Sequence, residues 1–133
     1  MARTKVYVSG PISNGGTLID NAREKNMHHA IEVGMALIKS GYAPLIPHLT
    51  FVMDKLHGPI AQSTWMEIDL PWVRVADAIL RLPGKSAGAD EEVEEAMALG
   101  IPVFHTIQDL IQNVSCVDGQ SSGRVAAMAR RSR

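Results

Sequence analysis

The strongest constraint on the fold is that short β-rich runs alternate with segments of helical periodicity along most of the chain. The β-rich runs end at turn residues such as Gly10-Pro11, and they are residues 5–9, 42–46, 77–82, 102–105 and a brief run at 114–117. The segments of helical periodicity are residues 17–39, 62–76, 89–99 and 107–112, and residues 48–59 are predicted to be an irregular loop. Strands that are separated by helices form right-handed crossovers. The pattern therefore predicts a small doubly wound α/β domain (Rossmann-like or flavodoxin-like), with a parallel sheet of four to five strands and helices on both faces.

Composition excludes several classes of protein. The 133 residues carry 13 basic and 14 acidic side chains, a net charge of -1, which does not favour a nucleic acid polymer as partner. The apolar runs are too short to span a bilayer, and no leader pattern precedes the first strand, so we expect a cytoplasmic protein with no membrane partner. A single cysteine, Cys116, excludes an internal disulfide. We expect one domain over residues 1–118, followed by a basic, flexible tail over residues 119–133.

The loops after the strands are where a ligand is expected, because open parallel sheets bind ligands beyond the carboxyl ends of their strands. The first such loop, residues 10–16, matches neither the P-loop pattern nor G-x-G-x-x-G, which removes the best support for an ATPase or a dinucleotide oxidoreductase. Its glycines allow backbone N–H groups to approach an anion, but a plain strand-to-helix turn explains the same composition. His48 follows the second strand at this edge and is a weaker binding candidate.

The third loop leads into an acidic helix start. Ser86 and Gly88 sit just ahead of a predicted helix N-terminus, where N–H groups and the helix dipole favour a phosphate. Most carboxylates in this first turn are expected to face water. Glu92 differs because it shares a helical face with Ala96 and Leu99, which is predicted to pack on the sheet. An acid on such a face is costly unless it is used, so Glu92 is a candidate functional residue.

Asp69 is a second acid on an apolar helical stripe. It shares a face with Trp65, Trp72 and Ala76, and both tryptophans are predicted to belong to the core. A turn acid before Pro71, which is expected to interrupt the helix, is an equally good interpretation. Neither the histidines nor the acids match a metal-binding motif, so no metal site is predicted.

Three short motifs in order resemble the nucleoside 2-deoxyribosyltransferase superfamily. Residues 6–13 (VYVSGPIS) resemble its opening strand and loop, and Asp69-Leu70 with Ala76-Asp77 resembles part of its second half. The pattern Ser86-x-Gly88-x-x-x-Glu92 completes the likeness, which spans roughly residues 5–105. Residues 47–48 and 85–89 also resemble a phage-associated, uncharacterised branch.

This resemblance implies an enzyme that cleaves the N-glycosidic bond of a nucleoside or nucleotide without a cofactor. Glu92 corresponds to the nucleophile, and Asp69 to the acid that positions the sugar and assists proton transfer to the departing base. The remaining implied substrate-binding residues are Tyr7, Gly10, Pro11, Ile12, Ser13, His48, Ser86 and Gly88. Serine at position 86 resembles the nucleoside 5′-monophosphate N-glycosidases, so hydrolysis of a monophosphate is the first expectation.

Other functions stay open at this point. A nucleoside 2-deoxyribosyltransferase exchanges bases with the same residues, and a non-catalytic module binds a nucleotide through the same loops. An assembly protein that acts through its basic tail is a further alternative. The resemblance also implies a homodimer or a larger homo-oligomer.

Overall fold

A parallel β-sheet lies at the centre of the domain, and a computed structural model describes the chain at residues 2–12 and 22–117. The strands are β1 (Lys5–Ser9), β2 (Ala43–Leu45), β3 (Ala78–Arg81) and β4 (Val103–Phe104). The helices are α1 (Ala22–Lys39), α2 (Thr50–His57), α3 (Gln62–Val75), α4 (Ala87–Ala98) and α5 (Ile107–Asn113), and a 3-10 turn covers Pro47–Leu49.

The order of the strands creates a ligand-binding edge. The four strands are arranged β2-β1-β3-β4, and each neighbouring pair is parallel. The chain leaves β1 toward β2 and later returns to pair β3 on the other side of β1, which makes the β1–β3 boundary the topological switch point. The predicted doubly wound α/β fold is confirmed, with four strands.

Alternation along β1 separates two apolar layers. Val6 and Val8 point to one face, where they pack with Leu80, Leu37 and Leu110. On the other face a smaller cluster surrounds Tyr7, and its further buried members are Val73, Ile79 and Ala96. Since successive strand residues face opposite sides, Tyr7 and Ser9 both point toward the layer that contains α3 and α4.

The prediction of an irregular loop over residues 48–59 is wrong, because residues 50–57 form helix α2. This stretch contains neither glycine nor proline, and the Thr50 hydroxyl donates a 2.7 Å hydrogen bond to the Pro47 carbonyl at its start. Gly58-Pro59 ends the helix. Helix α2 also contributes residues to the wall of the cleft described below.

Three further predictions about the helices and strands are wrong. Helix α3 continues through Pro71 rather than being interrupted there. Trp72 is 54% exposed and Leu99 is 52% exposed, so neither joins the buried face assigned to it. The predicted fifth strand is only an isolated antiparallel bridge between Arg3 and Val117. In α3 the buried face is shifted by one residue from the predicted one, because Val73 rather than Trp72 packs in the cluster around Tyr7.

Three predicted features lie outside the described residues. They are the part of the first loop that includes Ser13, the predicted start of the first helix over residues 17–21, and the basic tail, whose separate domain boundary stays a prediction. Within the described ranges, no helix combines the length and apolar character needed to cross a membrane.

Candidate active site

Glu92 is the centre of the site, at the carboxyl edge of β1. Its side chain is only 5% exposed, and it points from α4 toward the sheet. The Tyr7 hydroxyl donates a 2.7 Å hydrogen bond to Oε2, and the Ser9 hydroxyl donates a 2.7 Å hydrogen bond to Oε1. These two donors come from alternate residues of one strand, so the strand pitch fixes both oxygens of the carboxylate.

The protonation of Glu92 is close to balanced at neutral pH. Burial raises the pKa of this carboxyl to about 7, against the hydrogen bonds from Tyr7 and Ser9, which favour the ionised form. The negative charge of Asp69 raises the pKa of Glu92 further, and Arg81 lowers it. Burial also raises the pKa of Tyr7, so its phenol remains a donor.

Asp69 is the second buried acid and lines a cleft next to Glu92. It is 8% exposed, and burial raises its pKa to about 6. The cleft has a volume of about 140 Å³, and its other walls include Ile12, Phe51 and Trp65. A buried carboxyl beside apolar and aromatic walls keeps its proton more readily than an exposed one. Asp69 is therefore suited to donate a proton into the cleft.

Side chains from α1 and from the 3-10 turn contact the carbonyl groups of the described part of the first loop. The Asn26 amide donates a 3.0 Å hydrogen bond to the Ile12 carbonyl. His48 is 1% exposed, and its Nε2 lies 3.2 Å from the Pro11 carbonyl. Burial lowers the pKa of His48 to about 4, so the neutral ring donates this bond at physiological pH. His48 supports the loop in this geometry, and its predicted contact with a substrate stays a prediction.

Gly10 is required by close packing rather than by backbone conformation. A Cβ at Gly10 would lie 2.9 Å from the Cβ of Leu82, and the backbone φ of Gly10 is not among the positive values. We expect Gly10→Ala to push β1 and Leu82 apart and to lower the free energy of unfolding by about 1–3 kcal/mol. Urea unfolding monitored by circular dichroism measures this change. A variant as stable as the parent protein would contradict the packing argument.

Ser86 and Gly88 lie at the start of α4. Ser86 is the N-cap, and its Oγ accepts a 3.0 Å hydrogen bond from the Ala89 N–H. This bond leaves the hydroxyl proton of Ser86 to be donated elsewhere. A Cβ at Gly88 would lie 3.2 Å from Nε2 of Gln62, so glycine lets α3 and α4 approach closely. The two residues thus shape the edge between α4 and the cleft.

A polar cluster at the far end of the cleft was not predicted from the sequence. Asp54 of α2 accepts hydrogen bonds from the Ile60 N–H at 2.8 Å and from the Trp65 indole at 3.3 Å. Its other oxygen pairs with Arg23 at 3.3 Å. These contacts lower the pKa of Asp54 and fix the connection between α2 and α3. These residues lie far apart in the sequence and form no recognisable motif, so the cluster exists only in the folded chain.

The structure brings most of the predicted residues to one region. Tyr7 and Glu92 share a direct hydrogen bond, and Asp69 and Ile12 both line the adjacent cleft. Ser9 was missed, although its place two residues after Tyr7 on a strand was a usable signal. Within the described ranges, no group of three or more His, Cys, Asp or Glu side chains is arranged to hold a metal ion.

Comparison with a solved structure supports the fold. A family model described as a domain of unknown function (DUF7768) matches residues 4–106. A 2-desoxiribosyltransferase from Leishmania mexicana superimposes with a TM-score of 0.53 at 20% identity, covering 75% of this chain and 61% of that protein. The chain therefore spans about three-fifths of the length of that enzyme. A 2-deoxyribosyltransferase from Bacillus psychrosaccharolyticus gives a TM-score of 0.49 at 18% identity, covering 83% and 80% of the two chains. The search of curated proteins finds no match.

Proposed function

This chain belongs to the DUF7768 family, and we propose that it hydrolyses the N-glycosidic bond of a nucleoside 5′-monophosphate. One observation carries this proposal: two buried acids, Glu92 and Asp69, lie at the switch point, and hydroxyl groups bind both oxygens of Glu92. Cleavage of an N-glycosidic bond needs a carboxylate near the anomeric carbon and an acid near the base.

The steps follow from these two acids. An oxygen of Glu92 attacks C1′ of the sugar as the bond from C1′ to the base nitrogen breaks. The electron pair of that bond stays on the nitrogen, and the base receives a proton from Asp69 as it leaves. Water then attacks C1′ of the glycosyl ester and gives a proton to Asp69, which releases the sugar 5-phosphate and restores Glu92.

The proposed roles require Glu92 to be ionised and Asp69 to be protonated in the reacting complex. The two raised pKa values, about 7 for Glu92 and about 6 for Asp69, mean that the pair holds a single proton over part of the neutral range. Tyr7 and Ser9 donate to the ionised form of Glu92, and positive charge that develops on the sugar favours the same form. Glu92 has the higher pKa of the two acids and holds this proton more often in the free protein, so the proposed mechanism requires the positive charge on the sugar to shift the proton to Asp69, where the leaving base needs it.

A phosphate at the 5′ position is proposed from the edge formed by α4. Ser86 caps this helix with its oxygen and keeps a proton to donate, and the helix N-terminus favours negative charge. No carboxylate stands at position 86 to repel a phosphate. The cleft that Asp69 lines then receives the base.

Base exchange is the second candidate function. It is favoured by the fold shared with the Leishmania mexicana enzyme, whose name describes a 2-desoxiribosyltransferase. The two reactions share the glycosyl ester and differ in whether water or a second base attacks it. The third candidate function is that of a nucleotide-binding module without turnover. In that case we expect nucleotide binding that does not depend on the charge of Glu92.

A chromatographic screen tests the proposal. The protein is incubated with each common ribo- and deoxyribonucleoside 5′-monophosphate and with the matching free nucleosides, with and without an added acceptor base. We expect free base from a monophosphate, at a rate that does not require the acceptor. Formation of a new nucleoside only when the acceptor is present would identify a transferase instead. Release from free nucleosides but not from monophosphates would overturn the phosphate assignment.

A further inference from the structure

Arg81 is a nearly buried cation beside the candidate nucleophile, and the steps above do not use it. It is the last residue of β3, and its side chain is 11% exposed. In the sheet register it pairs with Ser9, the residue whose hydroxyl binds Glu92. Paired residues of neighbouring strands point to the same face, so Arg81 starts on the side of the sheet that α4 covers.

The guanidinium of Arg81 fixes the loop that leads into α4. It donates to the carbonyl of Leu82, to the carbonyl of Gly84 at 3.0 Å and to the carboxylate of Asp90 at 3.0 Å. One planar group therefore joins the end of β3, the middle of the loop and the first turn of α4. Asp90 is largely exposed, with a side-chain exposure of 69%, and the ion pair alone is expected to contribute little.

We propose that Arg81 is a positioning residue for the candidate nucleophile: it fixes the β3–α4 loop and supplies the positive charge next to the Ser9–Glu92 pair. This inference rests on the proposed role of Glu92. The groups that act on Glu92 are Tyr7 and Ser9 from β1, Asp69 from α3 and Arg81 from β3.

Arg81 is the cation among the groups that shift the titration of Glu92. Two neighbouring buried acids repel each other when both are ionised, and burial adds to that cost. A fixed cation offsets part of this repulsion without contacting the substrate. Its hydrogen bonds hold the Ser86 cap and the Glu92 helix in register with β1, so charge and geometry come from the same side chain.

Two readouts that do not require catalysis test the proposal. Carboxyl 13C NMR gives the pKa of Glu92, with Glu92→Gln used to assign its resonance, and amide hydrogen exchange reports opening of residues 82–90. Arg81→Met removes both the positive charge and the hydrogen-bond donors of the guanidinium. Arg81→Lys keeps the charge but loses the planar group that donates to several acceptors at once. Arg74→Met is the matched control, because it removes an arginine whose ion pair with Glu95 does not involve the β3–α4 loop.

We expect Arg81→Met to raise the pKa of Glu92 and to increase exchange in the loop at least tenfold. Arg81→Lys should increase exchange in the loop while leaving the pKa close to that of the parent protein. Arg74→Met should change neither quantity. If Arg81→Met does not fold, the exchange result of Arg81→Lys decides the positioning role.

Unchanged exchange in Arg81→Lys, or an unchanged pKa of Glu92 in a folded Arg81→Met protein, would overturn the proposal. These results do not depend on turnover, so they are distinguishable from a failure of the substrate screen. Where the screen succeeds, Arg81→Met should also move the acid limb of the profile of kcat/KM against pH to higher pH, in step with the pKa of Glu92.

Discussion

Glu92→Gln is expected to lower base release at least ~10³-fold, because an amide oxygen does not replace a carboxylate as the nucleophile at C1′. Substrate binding should survive, since the phosphate and base are proposed to contact the α4 edge and the cleft rather than Glu92. Isothermal titration with the monophosphate identified by the screen measures the binding, and chromatography measures the turnover. The combination of retained binding and lost turnover separates an enzyme from a binding module.

The same substitution has a predicted effect on stability that depends on pH. The folded pKa of Glu92 is about 7, above its ordinary value of 4.5, so the folded state binds the proton more tightly than the unfolded state does. Between these two values the folded protein holds more protons, and its free energy of unfolding falls as pH rises. Ionised Glu92 therefore destabilises the fold at pH 8 by about 3 kcal/mol relative to pH 4.5.

Glutamine does not titrate, so Glu92→Gln should be more stable relative to the parent protein at pH 8 than at pH 4.5, by about the same 3 kcal/mol. Urea unfolding of both proteins at the two pH values measures this difference, in which constant effects on packing cancel. Glu91→Gln is the matched control, because Glu91 is an exposed neighbour on the same helix. A difference equal to that of the control would contradict the burial of an ionisable Glu92. Turnover that is unchanged in Glu92→Gln would contradict its role as the nucleophile.

Asp69→Asn is expected to lower base release by about 10²–10⁴-fold, the usual range for loss of a general acid. The loss should shrink for a substrate whose base leaves without protonation. An N7-methylated purine monophosphate is such a substrate because its base departs as a neutral molecule, and a 5-fluorinated pyrimidine serves if the screen identifies a pyrimidine. Comparing kcat/KM for the ordinary and activated substrates in both proteins measures the effect, because kcat/KM reports the step in which the base leaves and not the later step in which Asp69 accepts a proton from water.

Glu67→Gln controls for a change of charge on the same helix, since Glu67 is exposed two residues before Asp69. An equal loss on the ordinary and the activated substrate would assign Asp69 to positioning the sugar rather than to proton transfer. Retained activity of Asp69→Asn on the ordinary substrate would remove Asp69 from the mechanism altogether.

Residue pattern was sufficient to predict the fold class and the inward position of one acid. The alternation of strand and helix patterns leads to a parallel sheet because few other arrangements bury both kinds of element. Glu92 was identified by phase alone, since an acid four residues before the buried Ala96 must point inward. Its identity as the nucleophile came from the resemblance and remains a proposal.

Where helical phase was the only signal, predictions were less accurate. Trp72 was assigned to the same face as Asp69, but the helix is rotated so that Val73 is buried and Trp72 is exposed. Both faces of α3 carry apolar residues, so spacing did not distinguish them. The helix over residues 50–57 was missed because its apolar residues do not form a buried stripe: none of its residues is fully buried.

Residue pattern alone predicts the parallel α/β fold, the edge of the sheet where the candidate site lies and the inward direction of Glu92, because these depend on short-range periodicity and on the order of elements along the chain. The groups that act on that acid follow instead from tertiary contacts. Ser9 and Arg81 are far apart along the chain and become neighbours through the pairing of β1 with β3. Asp54 reaches Trp65 and Arg23 through the packing of three helices. Such contacts depend on how elements assemble in space, and no local pattern of residues encodes them.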